Sequence, residues 1–313
     1  MSHANVTEKC GFERTPISFV SRVRSLGEKC LVLSLLLFSA VSHAAWYDTN
    51  WAARQEITIS ATVADADLTN YPYLVRIVDP ANELFTDAQA DGDDILFTSP
   101  DGTTKLPHEI EFYDAATNTL YAWVQVPLVS SSVDTTLYMY YDNGTIGNQQ
   151  NVTGTWDNDY VMVQHLQEIS GTHLDSTSNN NDGTALNGVI QNATGRIDGA
   201  DQFDGSNDYV SIPDDTSLRV VEMTVEAWVY VPSSIPSGWH GIVVHGPGSS
   251  NPNWYALAHN SNRFHYRWST GSIRRVDYSA TFSPNQWYYV VGVLDVPNDQ
   301  AIVCLLYTSD AAD

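Results

Sequence analysis

What most constrains this chain is a period-two alternation of apolar residues that recurs in short runs separated by turn residues. Residues 120–126 read LYAWVQV and put Leu120, Ala122, Val124 and Val126 on one face. In the TTLYMYY run of 135–141, Leu137, Met139 and Tyr141 share a face. Residues 223–231, MTVEAWVYV, place Val225, Ala227, Val229 and Val231 inward, and 287–294, WYYVVGVL, is apolar enough to be a central strand. Alternating side chains of a strand point to opposite faces of a sheet, so each run predicts a strand with one buried face. Gly, Asn, Asp and Pro clusters punctuate the runs, and no segment sustains a helical period. The predicted fold class is all-β, built from two β-sandwich domains.

Composition agrees with a packed core. Hydrophobic residues make up 43% of the 313 and charged residues only 16%, which is too apolar for a disordered chain. Acidic residues outnumber basic ones 37 to 14, a net charge of −23. Such a surface repels polyanions, so nucleic acid is excluded as a general partner and an anionic membrane face is disfavoured.

The amino terminus reads as an export leader. Leu31–Val41 (LVLSLLLFSAV) is uncharged and nearly all apolar, Arg22, Arg24 and Lys29 precede it, and Ser42-His43-Ala44 follows with small residues two apart. The run is too short to span a bilayer, for which ~20 residues are needed. Residues 1–44 are therefore expected to be a signal peptide with a long basic region, cleaved after Ala44, and the protein to be periplasmic, cell-surface or extracellular. Cys10 and Cys30 fall in the removed part, so no disulfide is expected in the exported domains. At the other end, residues 304–313 (CLLYTSDAAD) read as adapter-derived sequence, with the strand pattern stopping at Val303.

Between these ends the composition shifts near 142–159 (DNGTIGNQQNVTGTWDND), which is polar and poor in apolar residues. The expected organisation is a domain over 46–143, a linker over 144–159 and a second domain over 160–303.

The first half runs through WYDTNWAARQEITI (46–59), YPYLVRI (71–77), DGDDILF (91–97), LPHEIEF (106–112), AWVQVP (122–127) and LYMYY (137–141). This order resembles DUF2341, a domain of unknown function in exported proteins; Asp142 stands where that family commonly has Gly. The second half carries HLQE (165–168), LDSTSNNNDG (174–183), FDGSNDYV (203–210), VEAW (225–228) and WYYVV (287–291). It resembles a concanavalin A-like, laminin-G-type jellyroll, here expected to lack its last strands. The pairing resembles the exported front end of larger envelope proteins, some of which continue into an ExbB/TolQ-like proton channel.

Three sets of residues invite a chemical reading. Glu109 and Glu111 are two apart in a predicted strand, hence ~7 Å apart on one side, near the carboxylate separations of glycosidases. A solvated strand face in an acidic protein accounts for them more simply, and the acid triplet of concanavalin A-like glucanases is missing. The loop 175–183 is rich in the hard oxygens that Ca2+ takes. The resemblance implies Ca2+ at a sandwich rim with Asp175, Asp182, Asp204 and Asp208 as ligands, while turn chemistry explains the same residues without a metal. His240, His245, His259 and His265 do not suit a zinc site, because five-residue spacing sends the first two to opposite faces.

The aromatic and cationic crowding of 239–268 points to sugar. Trp239, Trp254, Tyr255, His265, Tyr266 and Trp268 offer ring faces for pyranose C–H groups, and Arg263, Arg267, Arg274 and Arg275 offer hydrogen bonds for hydroxyls. Core packing competes for Phe264, Tyr266 and Trp268, which alternation places together. The expected function is non-enzymatic recognition of a glycan or envelope component. A glycoside hydrolase is the disfavoured alternative, and the ectodomain of an envelope transducer the nearer one.

Overall fold

The computed structural model describes residues 45–234, 237–246, 254–269, 272–278, 281–295 and 300–307. The leader expected over 1–44 lies outside these. The chain divides into two units near Thr155/Trp156, and β-structure dominates both.

The first unit comprises β1 (Ala53–Ile59), β2 (Leu68–Val78), β3 (Leu96–Thr98), β4 (Lys105–Leu106), β5 (His108–Asp114), β6 (Thr119–Val129) and β7 (Thr135–Tyr141). They form two antiparallel sheets, β1-β7-β3-β4 and β2-β6-β5. The alternation read from the sequence is what joins them. Leu120, Ala122, Val124 and Val126 from one sheet meet Leu137, Met139 and Tyr141 from the other, all 4% exposed or less.

Behind β7 a smaller aromatic cluster holds the start of this unit. Trp51 and Tyr140 are buried there, and the Arg54 guanidinium lies 4.3 Å from the ring of Tyr138 and 4.8 Å from that of Trp46. Asp142 follows with a φ of 66°. That left-handed conformation is the physical reason a glycine suits this position.

The residues expected to form a linker are in part built into the first unit. The Gln89 amide donates to the carbonyls of Asn143 and Ile146, Lys105 Nζ to Gln149 Oε1, and the Asn151 amide to the His108 carbonyl. A polar, Gly/Asn-rich stretch looks like a linker by composition, but its amides also suit it to satisfying exposed backbone groups of an adjacent strand.

In the second unit, β8 (Thr172–His173), β9 (Gly183–Leu186), β10 (Ile190–Thr194), β11 (Gly199–Gln202) and β12 (Tyr209–Ser211) are short. Longer strands follow: β13 (Met223–Val231), β14 (Trp239–His245), β15 (Tyr255–Asn260), β16 (Arg263–Ser269), β17 (Ile273–Asp277), β18 (Gln286–Asp295) and β19 (Gln300–Tyr307). Sheets β13-β18-β19 and β14-β15-β16-β17 share one core. Tyr288, Val290, Val303 and Leu305 come from the first of these, and Tyr255, Leu257, Phe264 and Tyr266 from the second. At Gly292 the sheets come so close that a Cβ would fall 2.7 Å from the Tyr266 ring.

Strand β18 is central, as its apolar run predicted. However, the alternation does not stop at Val303: β19 pairs with β18 through Tyr307, and Leu305 takes the next core position. Cys304 stands opposite Val291 in this pairing, on the other face from Leu305.

Candidate ligand-binding face

The four-stranded sheet β14-β15-β16-β17 has two faces that the sequence mixes together. Register separates them. Leu257 stands opposite Val243 and Tyr266, and this row points into the core. Ala256 and Ala258 alternate with it and point outward. Ala258 is opposite Gly241 and His265, Ala256 is opposite Val244 and Arg267, and Asn260 is opposite Trp239 and Arg263. Across the next pair, His265 faces Asp277 and Arg267 faces Arg275.

Trp239, Arg263, His265 and Arg267 therefore converge on one outer face, about a floor of Gly241, Ala256 and Ala258. Strands lie ~4.8 Å apart, so about 10 Å separates the side chains of β14 from those of β16 across this floor. Trp239 is 41% exposed, whereas Ala256 and Ala258 are fully buried. The terminal ring carbons of Trp239 and the Val244 side chain overlie Gly241, where a Cβ would meet them at 3.1 and 2.4 Å.

His265 is 1% exposed, and its Nε2 has no hydrogen-bond partner; the Nε of Arg267 has none either. Burial, with the positive charge of Arg267 behind it, pulls the His265 pKa down to about 4, so the ring is neutral near pH 7. Arg275 is bridged to Asp277 at 2.7 Å, and Asp277 is the one carboxylate among the described strand residues of this face.

Tyr255 does not join this set: it is 6% exposed and faces the core with its ring stacked on His245 at 4.9 Å, whereas Trp254, one position earlier and so on the parity of Ala256, is 7% exposed and lies outside the core cluster. Phe264 and Tyr266 also fill the core, as alternation required.

The histidine spacing misled for a specific reason. A bulge between Gly241 and Val243 inserts one residue, so His240 and His245 share a face. They are not brought together: His240 stacks on His259 and His245 on Tyr255.

The aspartates separate into two pairs. The Asp175 carboxylate accepts hydrogen bonds from the amides of Val163, Thr177 and Asn181 and from the Thr177 hydroxyl, all at 2.8–3.0 Å. Asp182 accepts the Asp175 amide. Asp208 accepts the Asp204 amide, and Asp204 that of Ser206. Among the described residues no three His, Cys, Asp or Glu side chains come close enough to hold a metal ion. Asn180, at a φ of 54°, supplies the left-handed turn in this loop.

Glu109 and Glu111 are not a solvated pair. They are 6% and 8% exposed, a bulge between Ile110 and Phe112 breaks their alternation, and the Trp123 indole donates to Glu111 at 2.6 Å.

One cluster had no sequence signal. His173, fully buried, lies between Glu168 (Nδ1 to Oε2, 2.9 Å) and Asp201 (Nε2 to Oδ2, 3.0 Å). Glu168 also accepts the Leu174 amide, which helps keep its pKa below the usual carboxylate range although burial pushes the other way. Burial raises that of Asp201. Among the described residues no hydroxyl or thiol is bonded to the ring, and the two contacts tie the 168–173 turn to β11. Its spacings of five and 28 residues follow no strand or helix period, which is why pattern reading passes over it.

Two family models match this chain. Residues 204–305 match the concanavalin A-like lectin/glucanases superfamily. Residues 91–182 match the domain of unknown function DUF2341, in the order the resemblance predicted. The DUF2341 match begins at Asp91, just before β3 of the first unit, and ends at Asp182, so the 175–182 loop and HLQE (165–168) fall within it and outside the concanavalin A-like match. No curated protein and no solved structure matches the chain. No helix among the described residues is long and apolar enough to cross a membrane.

Proposed function

We propose that this is an exported, non-enzymatic recognition protein whose jellyroll unit binds a glycan on the outer face of β14–β17. The observation that carries the reading is the convergence of Trp239, Arg263, His265 and Arg267 around small residues, with buried polar atoms of His265 and Arg267 left unpartnered. Buried polar groups are ordinarily hydrogen-bonded, and the exceptions call for a partner. A saccharide supplies one: hydroxyls accept from Arg and exchange with a neutral imidazole, while the indole takes the apolar face of a ring.

The superfamily match supports carbohydrate as the ligand class, and the leader-like sequence of 1–44 supports a site outside the cytosol. A hydrolytic reading is disfavoured. Glycosidases need two carboxylates flanking the bond, and Asp277, held by Arg275, is the one carboxylate among the described strand residues of this face.

Screening the full chain on a glycan array, with Ca2+ and with chelator, tests the proposal. Trp239→Ala should abolish any hit while leaving the thermal transition unchanged. A blank array under both conditions, or a hit that Trp239→Ala leaves intact, would reject this face. A calcium-dependent hit would add the aspartate loops as its support.

A further inference from the structure

From Trp46 to Val303 the chain has eight arginines and one lysine. Four of the eight, Arg263, Arg267, Arg274 and Arg275, stand on the adjacent strands β16 and β17. Three of them, Arg263, Arg267 and Arg275, alternate onto the outer face, where Asp277 is the one carboxylate among the described strand residues. A protein with a net charge of −23 thus keeps a locally cationic surface. The long-range repulsion does not erase it, because at physiological salt charges more than about 8 Å away are largely screened.

Two details show that these arginines do not merely balance neighbouring acids. Arg267 and Arg275 are directly opposite one another, and like charges in that position destabilise a sheet. The Asp277 carboxylate is taken up by Arg275, while the Nε of Arg267 is buried with no partner. Beside Arg267 on the same face, the 1%-exposed His265 also has an unpartnered Nε2. An anionic oxygen would relieve the like-charge pair and satisfy a buried donor. The planar guanidinium fork fits such a group in two-pronged fashion.

We propose that the ligand of this face is an acidic oligosaccharide, with an anionic substituent held between Arg267 and Arg275 and a sugar ring over Trp239. This rests on the glycan reading above and adds the charge of the ligand. The length of the ligand follows from the register. Trp239 shares a row with Arg263, which is four residues, or about 13 Å, along the strand from Arg267, and about 10 Å across the sheet from Trp239. A single monosaccharide does not bridge that diagonal.

The test is titration of the full chain with tetragalacturonate, its methyl ester and polyglutamate, monitored by calorimetry. The acid should bind at least tenfold more tightly than the ester, and polyglutamate should not compete. Arg275→Gln, at an exposed edge-strand position, should bring acid and ester within twofold of each other without moving the thermal transition. Arg263→Gln should weaken the acid less. Equal binding of acid and ester by the parent protein overturns the charge inference and leaves the glycan reading standing. Equal binding of polyglutamate overturns it in favour of a general anion surface. Binding of no saccharide by the parent protein, charged or neutral, removes both. An unchanged acid preference in Arg275→Gln and in Arg267→Gln sends the anion elsewhere.

Discussion

The two units use the same strand alternation to different degrees of completion. In the first, the inward residues of β6 and β7 are sealed: Leu120, Ala122, Val124, Leu137 and Met139 are all 0% exposed. In the second, β13 alternates as cleanly, yet Val225 and Val229 remain half-buried, and only Val231 at its end is sealed. Its outer face carries aromatics in cross-strand pairs, Trp228 with Tyr289 at 5.1 Å and Tyr230 with Trp287 at 5.5 Å. An apolar pattern therefore reports which face turns inward, but not how well that face is covered. The second unit also seals the middle of its core, with Leu257, Phe264, Tyr266, Tyr288 and Val290 at 0% exposed, so the incomplete cover belongs to β13.

The sharpest way to break the comparison is to delete equivalent core atoms. Val124→Ala should cost the first unit about 2.5 kcal/mol, because the site is fully enclosed and the cavity adds to the lost transfer energy. Val229→Ala should cost the second about 1 kcal/mol, since a half-buried side chain gives up less transfer energy. Denaturant melts of the two variants measure both values. Equal losses would mean that the two cores are sealed alike.

Acid should strain both units through buried histidines. His108 is fully buried, its Nε2 has no partner, and burial pulls its pKa down to about 4 from an ordinary 6.5. Between these values the unfolded chain binds more protons than the folded one. The stability His108 allows is thus complete above about pH 6.5 and lost as pH falls toward 4, by about 3 kcal/mol. His108→Phe should flatten that part of the pH profile of the first unit. His265 predicts a loss in the same window for the second unit, and a bound saccharide donating to its Nε2 should deepen that loss and extend it to lower pH, because the bond exists only with the neutral ring.

Next in size is the Asp175 loop. Asp175→Asn replaces a carboxylate that accepts four hydrogen bonds with an amide that accepts at one oxygen, and should lower stability by about 2 kcal/mol. A loss that appears only when Ca2+ is present would instead assign the carboxylate to a cation. The smallest effect on folding belongs to Trp239→Ala, under about 0.5 kcal/mol by melting, while glycan affinity falls at least tenfold.

Strand positions, the two-sandwich class and the inward faces were legible in the chain, as were the two families and their order. Half-legible was the candidate face. Trp239, Trp254, Arg263, His265 and Arg267 could be named as a group, but Tyr255 could not be told from them. All six are aromatic or cationic residues in one short stretch, and composition carries no parity. The His240/His245 error has a similar origin, since one bulged residue reverses every later face assignment. The Glu168–His173–Asp201 clasp was invisible, because its members meet only after separate strands are folded together.

Alternation alone dictates that these segments become strands and which side of each turns from water, because that preference is set residue by residue. Which outward side chains become neighbours was settled by pairing. Gly241, Ala256 and Ala258 make a floor only because β14 and β15 pair in one register, and Arg267 meets Arg275 only because β16 turns back on β17. Contacts between strands depend on register and on bulges, and these are chosen by the whole core at once.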